Sequence, residues 1–386
     1  MDWRFEPSPE AVEALARTVS EIPGIQQKLL ESHTGLHRID RAAHQQQIAA
    51  GLAVLEVASA LPPELDGVGL FRAGSRAVGI GRVSTGLGCP HLETDPDFLG
   101  LMLAFQTTAG ERVDFLGIND PSAPTDTPEE FMALLAATAA AAGTEIPFGH
   151  LGQLDLGNLT AAQAKLFGAL SHRVGFVRAS GIYLHLAHQT ARTARSSSAI
   201  QQYWTGVVEA GRTPGKFTFV PTADVNPHRT LRPGARYLSE DWESRCKSQD
   251  IEFAVRWIPF VTEKETPLGA LTEPWLETHA VRVGSVTFPR MDPASREGRL
   301  VGLLAAEMGA NPGHWVGTRA GEPRPEFPGT RFTAARQVAY ALGQQQREAL
   351  PESAYRDFFT TGGVIGPDLE RELMLRDQRK QRVGPA

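Results

Sequence analysis

Cysteine is scarce: Cys89 and Cys246 are the only two in 386 residues, far apart and outside any metal-ligand spacing. That argues against a disulfide scaffold or a thiolate metal site and reads as two reduced thiols in a cytoplasmic protein. No apolar run approaches the roughly 20 residues that span a bilayer, so no membrane span is expected. Positive charge is not in excess either. The 38 Lys and Arg against 44 Asp and Glu leave a net −6, the wrong sign for a nucleic-acid or anionic-membrane partner. The first ten residues are acidic and interrupted by Pro7 and Pro9, which is not the pattern of a secretory signal. There is no phosphate loop and no Gly-rich dinucleotide fingerprint: Gly79, Gly81 and Gly86 fall in a strand-like run instead of opening a helix.

What is there is an ordinary globular composition, 41% apolar and 21% charged, with length for a sizeable core. Periodicity predicts one or two amphipathic helices over 8–32 and a strand over 48–57. A strand–turn–strand is predicted over 68–85, and a hairpin from strands 99–106 and 112–118. Thr127 and Thr160 are N-caps, for a helix that stops before Gly143 and for one running to about Leu170. Further strands are expected over 216–220, 251–260 and 279–288, then helices over 295–308 and 333–350, with a frayed tail in the last dozen residues. Strands in the middle and helices at both ends make the class α+β, with mostly antiparallel pairing. His185 and His188 lack a third ligand in a suitable arrangement and read as a helix face.

The chemistry concentrates near the C-terminus. Arg336, Tyr340 and Arg347 lie in one predicted helix, and the eleven steps from Arg336 to Arg347 are close to three turns. Both guanidinium groups therefore project from the face that carries the phenol, and Gly343 leaves that face open to something flat. Such a stripe suits an anion, or a metal that a phenolate ligates. Upstream, His44 follows Arg41 in a polar stretch. Arg82 ends an apolar strand with Ser84 on the same side, and a buried Arg calls for an anion. Residues 114–121 end a strand in an Asn-Asp-Pro turn.

In this order the segments resemble the haem catalase superfamily. Arg41-x-x-His44 is similar to the motif bearing the distal histidine, and Arg82-Val83-Ser84-Thr85 to the Arg-Phe-Ser-Thr strand. Asp97-x-x-Gly100 with the strand after it, and residues 114–121, resemble two further family segments. Arg336-x-x-x-Tyr340 with Arg347 resembles the proximal helix. Segments 202–205, 216–221 and 311–315 look closest to the short bacterial catalase-related proteins. The resemblance runs from about residue 35 to 350. It implies a catalase-like antiparallel β-barrel with flanking helices, divided as a helical arm over 1–34, a haem domain over 35–350, and a C-terminal helix and tail over 351–386.

The resemblance also implies haem b with Tyr340 as iron ligand, tyrosine being the ligand in catalases. Arg41, Arg82 and Arg347 would hold the propionates, and Arg336 would favour the phenolate. His44 would be the general base toward peroxide, oriented by Ser84. Asn119 is the candidate for the polar distal residue, but ungapped alignment puts Ile118 there, so Asn119 reaches the site only if a bulge shifts the register. Ser122, Ala123 and Pro124 stand where catalases carry aromatics, which predicts a wider cavity and an organic substrate beside the peroxide. A peroxidase or peroxygenase is therefore expected. The alternatives are a hydroperoxide-converting enzyme of the allene-oxide-synthase kind (that branch has Thr where this chain has Ala43), a true catalase, and a non-catalytic haem-binding protein. Family habit implies a homo-oligomer, dimer or tetramer.

Overall fold

Apolar side chains alternate along the middle of the chain, and the strands they form close on themselves. The computed structural model describes residues 3–32, 38–95, 97–142, 160–191, 198–222 and 234–382. Strands β1 (Gln47–Val57), β2 (Arg76–Thr85), β3 (Leu99–Gln106) and β4 (Arg112–Ile118) form an antiparallel meander. β5 (Tyr203–Thr205) and β6 (Val208–Ala210) lie end to end along one edge of β7 (Thr213–Pro221), whose other edge pairs with β8 (Ile251–Pro259). β9 (Val281–Phe288) joins β8 to β1, and β5 joins β4 to β7, so eight strands make a closed antiparallel barrel with no open edge.

Every second residue points inward. Val83, Leu101, Leu103, Phe115, Phe217, Phe219, Phe253 and Trp257 fill the barrel with Phe71 and Trp315. Phe71 stacks on Phe217 with ring centroids 5.0 Å apart, and Phe115 meets Phe217 edge-on at 5.2 Å. Gly81 makes room for this filling, because a Cβ there would lie 2.3 Å from the Phe288 ring. The first half of the predicted strand–turn–strand over 68–85 is not a strand. Gly67, Gly69 and Gly74 take positive φ and fold the segment back, so that Leu65, Val68 and Phe71 plug the barrel end.

Helices cover the outside of the barrel. α1 (Pro9–Val19) and α2 (Ile22–Ser32) pack with α3 (Pro128–Ala141), α4 (Ala161–Val174), α5 (Phe176–Ala191) and α8 (Arg331–Gln346) around a second apolar cluster. Thr127 and Thr160 cap α3 and α4 as expected. Within α5, His185 turns to the Ser122 hydroxyl (3.3 Å) and the Ala123 carbonyl (3.0 Å). α6 (Tyr237–Ser248), which sequence periodicity missed, presses Trp242 against Phe288. α7 (Arg296–Glu307), α9 (Glu352–Thr360) and α10 (Pro367–Arg382) form a third cluster against β2 and β3. The expected boundary between residues 34 and 35 lies outside the described residues. No described helix is long and apolar enough to cross a membrane.

The expectation of a frayed tail fails as far as Arg382. Leu369 and Leu373 are buried in the third cluster, and Arg376 (3.3 Å) and Lys380 (2.6 Å) pair with the buried Glu307 of α7. Burial opposes ionisation of Glu307, but Lys380 and Arg38 hold its carboxyl down at about 2. Leu373→Ala is expected to destabilise the protein by about 2–5 kcal/mol in urea unfolding. A loss below about 0.5 kcal/mol, the level of an ordinary surface change, would show that α10 is not part of the cooperative core.

Candidate active site

Odd positions of β2, β3, β4, β5 and β7 fill the interior, so their even ones face out, and on one side these floor a cavity. Register links Ser84 to Gly100, Gly100 to Ile118, Ile118 to Trp204 and Trp204 to Thr218 across five strands. The first four of these line the cavity, with Arg82, Met102 and Leu116 on the same outer face.

His44 stands on this wall, in the loop before β1. Its backbone takes the left-handed conformation (φ 56°), rare for a residue with a side chain, and its N–H donates to the Gly86 carbonyl at 2.9 Å. The ring is fixed on three sides. Nδ1 lies 3.3 Å from the Ser84 hydroxyl, Phe98 meets the ring edge-on at 5.6 Å, and a Cβ on Gly100 would come within 2.4 Å of Nδ1. Burial, aided by the positive charges of Arg82 and Arg336 and opposed by Asp97, depresses the imidazole pKa to about 4. At neutral pH His44 is an uncharged base.

The opposite wall is α8, capped by Thr330. Arg336, Tyr340, Gly343, Gln344 and Arg347 line the cavity from it, as the predicted stripe requires. The Arg336 guanidinium lies over the Tyr340 ring at 5.5 Å, with Nη2 3.4 Å from the phenol oxygen. Gln26 of α2 donates to the Gly343 carbonyl at 3.1 Å and so ties the N-terminal helices to this wall.

Three guanidinium groups meet at the cavity edge. Arg82 is 4% exposed and donates to Gln47 (3.1 Å) and to the carbonyls of His44 (2.9 Å) and Gln45 (2.8 Å). Arg41 donates to the Ala306 carbonyl at 2.7 Å, and Arg347 to that of Met308 at 2.9 Å. Burial, and then the charge of Arg41, push the pKa of Arg82 well down and that of Arg347 to about 9. Asp40 answers part of this charge. Burial opposes its ionisation, yet Arg41, Arg347 and Arg38 hold its carboxyl below the usual range. The cluster keeps an excess of positive charge in a buried place, which is a demand for an anion.

Of the predicted site residues, His44, Ser84, Arg41, Arg82, Arg336, Tyr340 and Arg347 all line this one cavity, and Asn119 does not. Its carbonyl accepts from the Leu99 N–H at 2.7 Å and its amide donates to Gln201. The β3–β4 register runs unbroken to Gly100 and Ile118, so no bulge brings Asn119 round, and Ile118 occupies the wall instead. Ser122, Ala123 and Pro124 do line the cavity, whose volume is ≈ 230 Å³. Sequence reasoning missed Asp120, Phe131, Trp204, Lys216 and Phe332 on its walls. Lys216 had a signal, a cation inside an otherwise apolar strand, whereas Phe131 and Phe332 read as ordinary helix residues.

No family model and no curated protein matches the sequence. Solved structures do match. A fungal catalase at 1.9 Å superposes with TM-score 0.60 at 14% identity over 85% of this chain and 63% of its own. Catalase A from Saccharomyces cerevisiae gives 0.59 and 14% over 84% and 63%, and a bacterial catalase 0.58 and 18% over 85% and 60%. The chain therefore spans less than two thirds of the length of these catalases. At such identity the likeness is one of architecture: this chain has the α+β catalase fold, a closed antiparallel barrel with flanking helices.

Folding with His44 depressed to about 4 makes stability fall as pH drops from about 6.5, where an unfolded histidine gains its proton. The loss accumulates until pH reaches about 4. The melting temperature of His44→Gln is expected to fall less steeply across that window than that of the parent. Parallel curves would mean that the imidazole is not held neutral.

Proposed function

We propose that this cavity holds haem b between His44 and Tyr340, and that the protein is an oxidoreductase that uses a peroxide to oxidise or convert an organic substrate. One observation carries the reading. An uncharged imidazole and a phenol under a guanidinium line one cavity from two walls, beside the buried Arg82 and Arg347 and the half-buried Arg41, which lack enough counter-charge. The residues fit the group. Two carboxylates on a flat macrocycle would answer Arg41, Arg82 and Arg347, and guanidinium forks suit them. Gly100 and Gly343 leave the walls without Cβ atoms.

When bound, ferric haem would supply the redox chemistry toward a peroxide. The chain's own residues prepare it. Arg336 places a guanidinium nitrogen 3.4 Å from the Tyr340 oxygen that would ligate the iron. His44 is neutral above about pH 4 and can take the proton of a peroxide at one oxygen and return it to the other. Ser84 engages Nδ1 and leaves Nε2 for that transfer. The amide function that Asn119 was expected to supply has no counterpart at Ile118, so the wall above His44 is apolar there. That apolar wall and the small residues at 122–124 support an organic co-substrate over hydrogen peroxide alone.

The test is the absorption spectrum of the protein reconstituted with haem, beside Tyr340→Phe and His44→Ala. Stoichiometric uptake is expected, with a changed spectrum and weaker retention in Tyr340→Phe. His44→Ala is expected to keep the haem and lose roughly 10²–10⁴-fold in peroxide consumption. Organic-substrate oxidation should exceed oxygen release from hydrogen peroxide. Failure to take up haem, or a spectrum indifferent to residue 340, would overturn the reading.

A further inference from the structure

Lys216 is buried on the cavity wall, yet none of the groups described above needs it. It lies on the outer face of β7, two residues before Thr218, at the far end of the row that starts at Ser84. It is 4% exposed and lines the cavity. Its ammonium sits 4.8 Å from the centre of the Trp275 ring, and the Asp120 carboxylate on the same cavity wall acts on it through space. An ammonium held this way is under-compensated: the ring answers only part of its lost hydration. Burial accordingly lowers its pKa to about 8, against the raising effect of Asp120, which the Ser122 amide and hydroxyl engage at 3.0 and 2.6 Å.

Strand register sets Ile118 and Trp204 in the row between Gly100 and Thr218, and with Val207 and Leu271 they line the cavity. The four strand steps from Ser84 to Thr218 trace about 19 Å along the wall at about 4.8 Å each, and less in a straight line because the barrel curves. We propose that Lys216 is the anchor for a carboxylate on the organic substrate, whose apolar body lies along Ile118 and Trp204 and brings its reactive end to His44. The proposal deepens the haem reading and rests on it. It names the substrate class as an organic acid with an apolar chain. Lys216 is a specificity residue here, since it would touch the substrate far from the reacting atoms.

The experiment uses haem-loaded protein, so that the arginine cluster is not itself open to an added carboxylate. Decanoate and decan-1-ol, equal in length and different in charge, are titrated by calorimetry and by fluorescence of the cavity tryptophan. Decanoate is expected to bind at least tenfold more tightly than the alcohol. Lys216→Met is expected to bring that ratio close to one, and Lys216→Arg to retain most of it. A ratio near one in the parent overturns the proposal whether or not any variant folds. So does a ratio unchanged in Lys216→Met, which would place the anion elsewhere. The spectrum recorded on the same samples separates the two readings. Haem uptake without anion preference defeats this inference alone, and absence of uptake defeats the reading on which it rests.

Discussion

A guanidinium taken out of water must find acceptors or an anion, and this chain buries two of them, Arg82 and Arg347, beside a half-buried third, Arg41. Much of the architecture around the cavity follows from that demand. Arg41 and Arg347 donate to the last carbonyls of α7, at Ala306, Glu307 and Met308. Those are the acceptors that a helix leaves without intrahelical partners, and they sit at the negative end of its dipole. Arg82 likewise closes on the carbonyls of His44 and Gln45, which belong to the loop that carries the imidazole. The cations thus stitch three separate pieces of chain to one rim. The carbonyls supply acceptors without cancelling a full charge, and Asp40 is one carboxylate among several arginines.

The rim is held from behind by a second charged layer. Glu307, in the last turn of α7, is 1% exposed and takes Arg38, Arg376 and Lys380 at 2.9, 3.3 and 2.6 Å. Two of these cations come from α10, so the C-terminal helix fixes the α7 end whose carbonyls receive the rim arginines. This link explains why a helix so poor in apolar residues is ordered. Leu369 and Leu373 give it a narrow apolar seam, and the buried carboxylate supplies the rest.

The parts that were legible in the sequence are those where one local signal decides the outcome. β3 and β4 fall at the predicted ends because apolar alternation and a turn-forming segment bound them on both sides. The α8 stripe is legible because helical period alone brings residues 336, 340, 343 and 347 to one face. The remainder depended on partners that periodicity cannot see. α10 looks solvated until Glu307 is placed beneath it. Residues 68–71 have strand-like composition, but left-handed glycines turn them into a plug. The side of the wall taken by Asn119 hung on one residue of register, and only strand pairing settles register.

The two walls differ in how they are built, and the difference bears on what each can do. The histidine wall belongs to a closed barrel, where every strand is bonded on both edges and cannot shift without breaking the ring. His44 is held against it in a strained backbone conformation, with Ser84, Phe98 and Gly100 defining the space left for its ring. In the role proposed for it, moving a proton between two atoms of one small molecule, His44 would gain from such fixation, because misplacement by an ångström can remove much of the rate. The tyrosine wall is a single helix packed on α1, α2 and α3 through alanines and small aliphatics. Its precision comes from the arginines at its two ends of the stripe: Arg336 on the phenol itself, and Arg347 on the α7 carbonyls. The stiff barrel sets the position of the base, and the charged rim sets the position of the helix against it. Charge in the rim therefore governs the spacing of the two walls, which is the dimension a flat group lying between them would sense first.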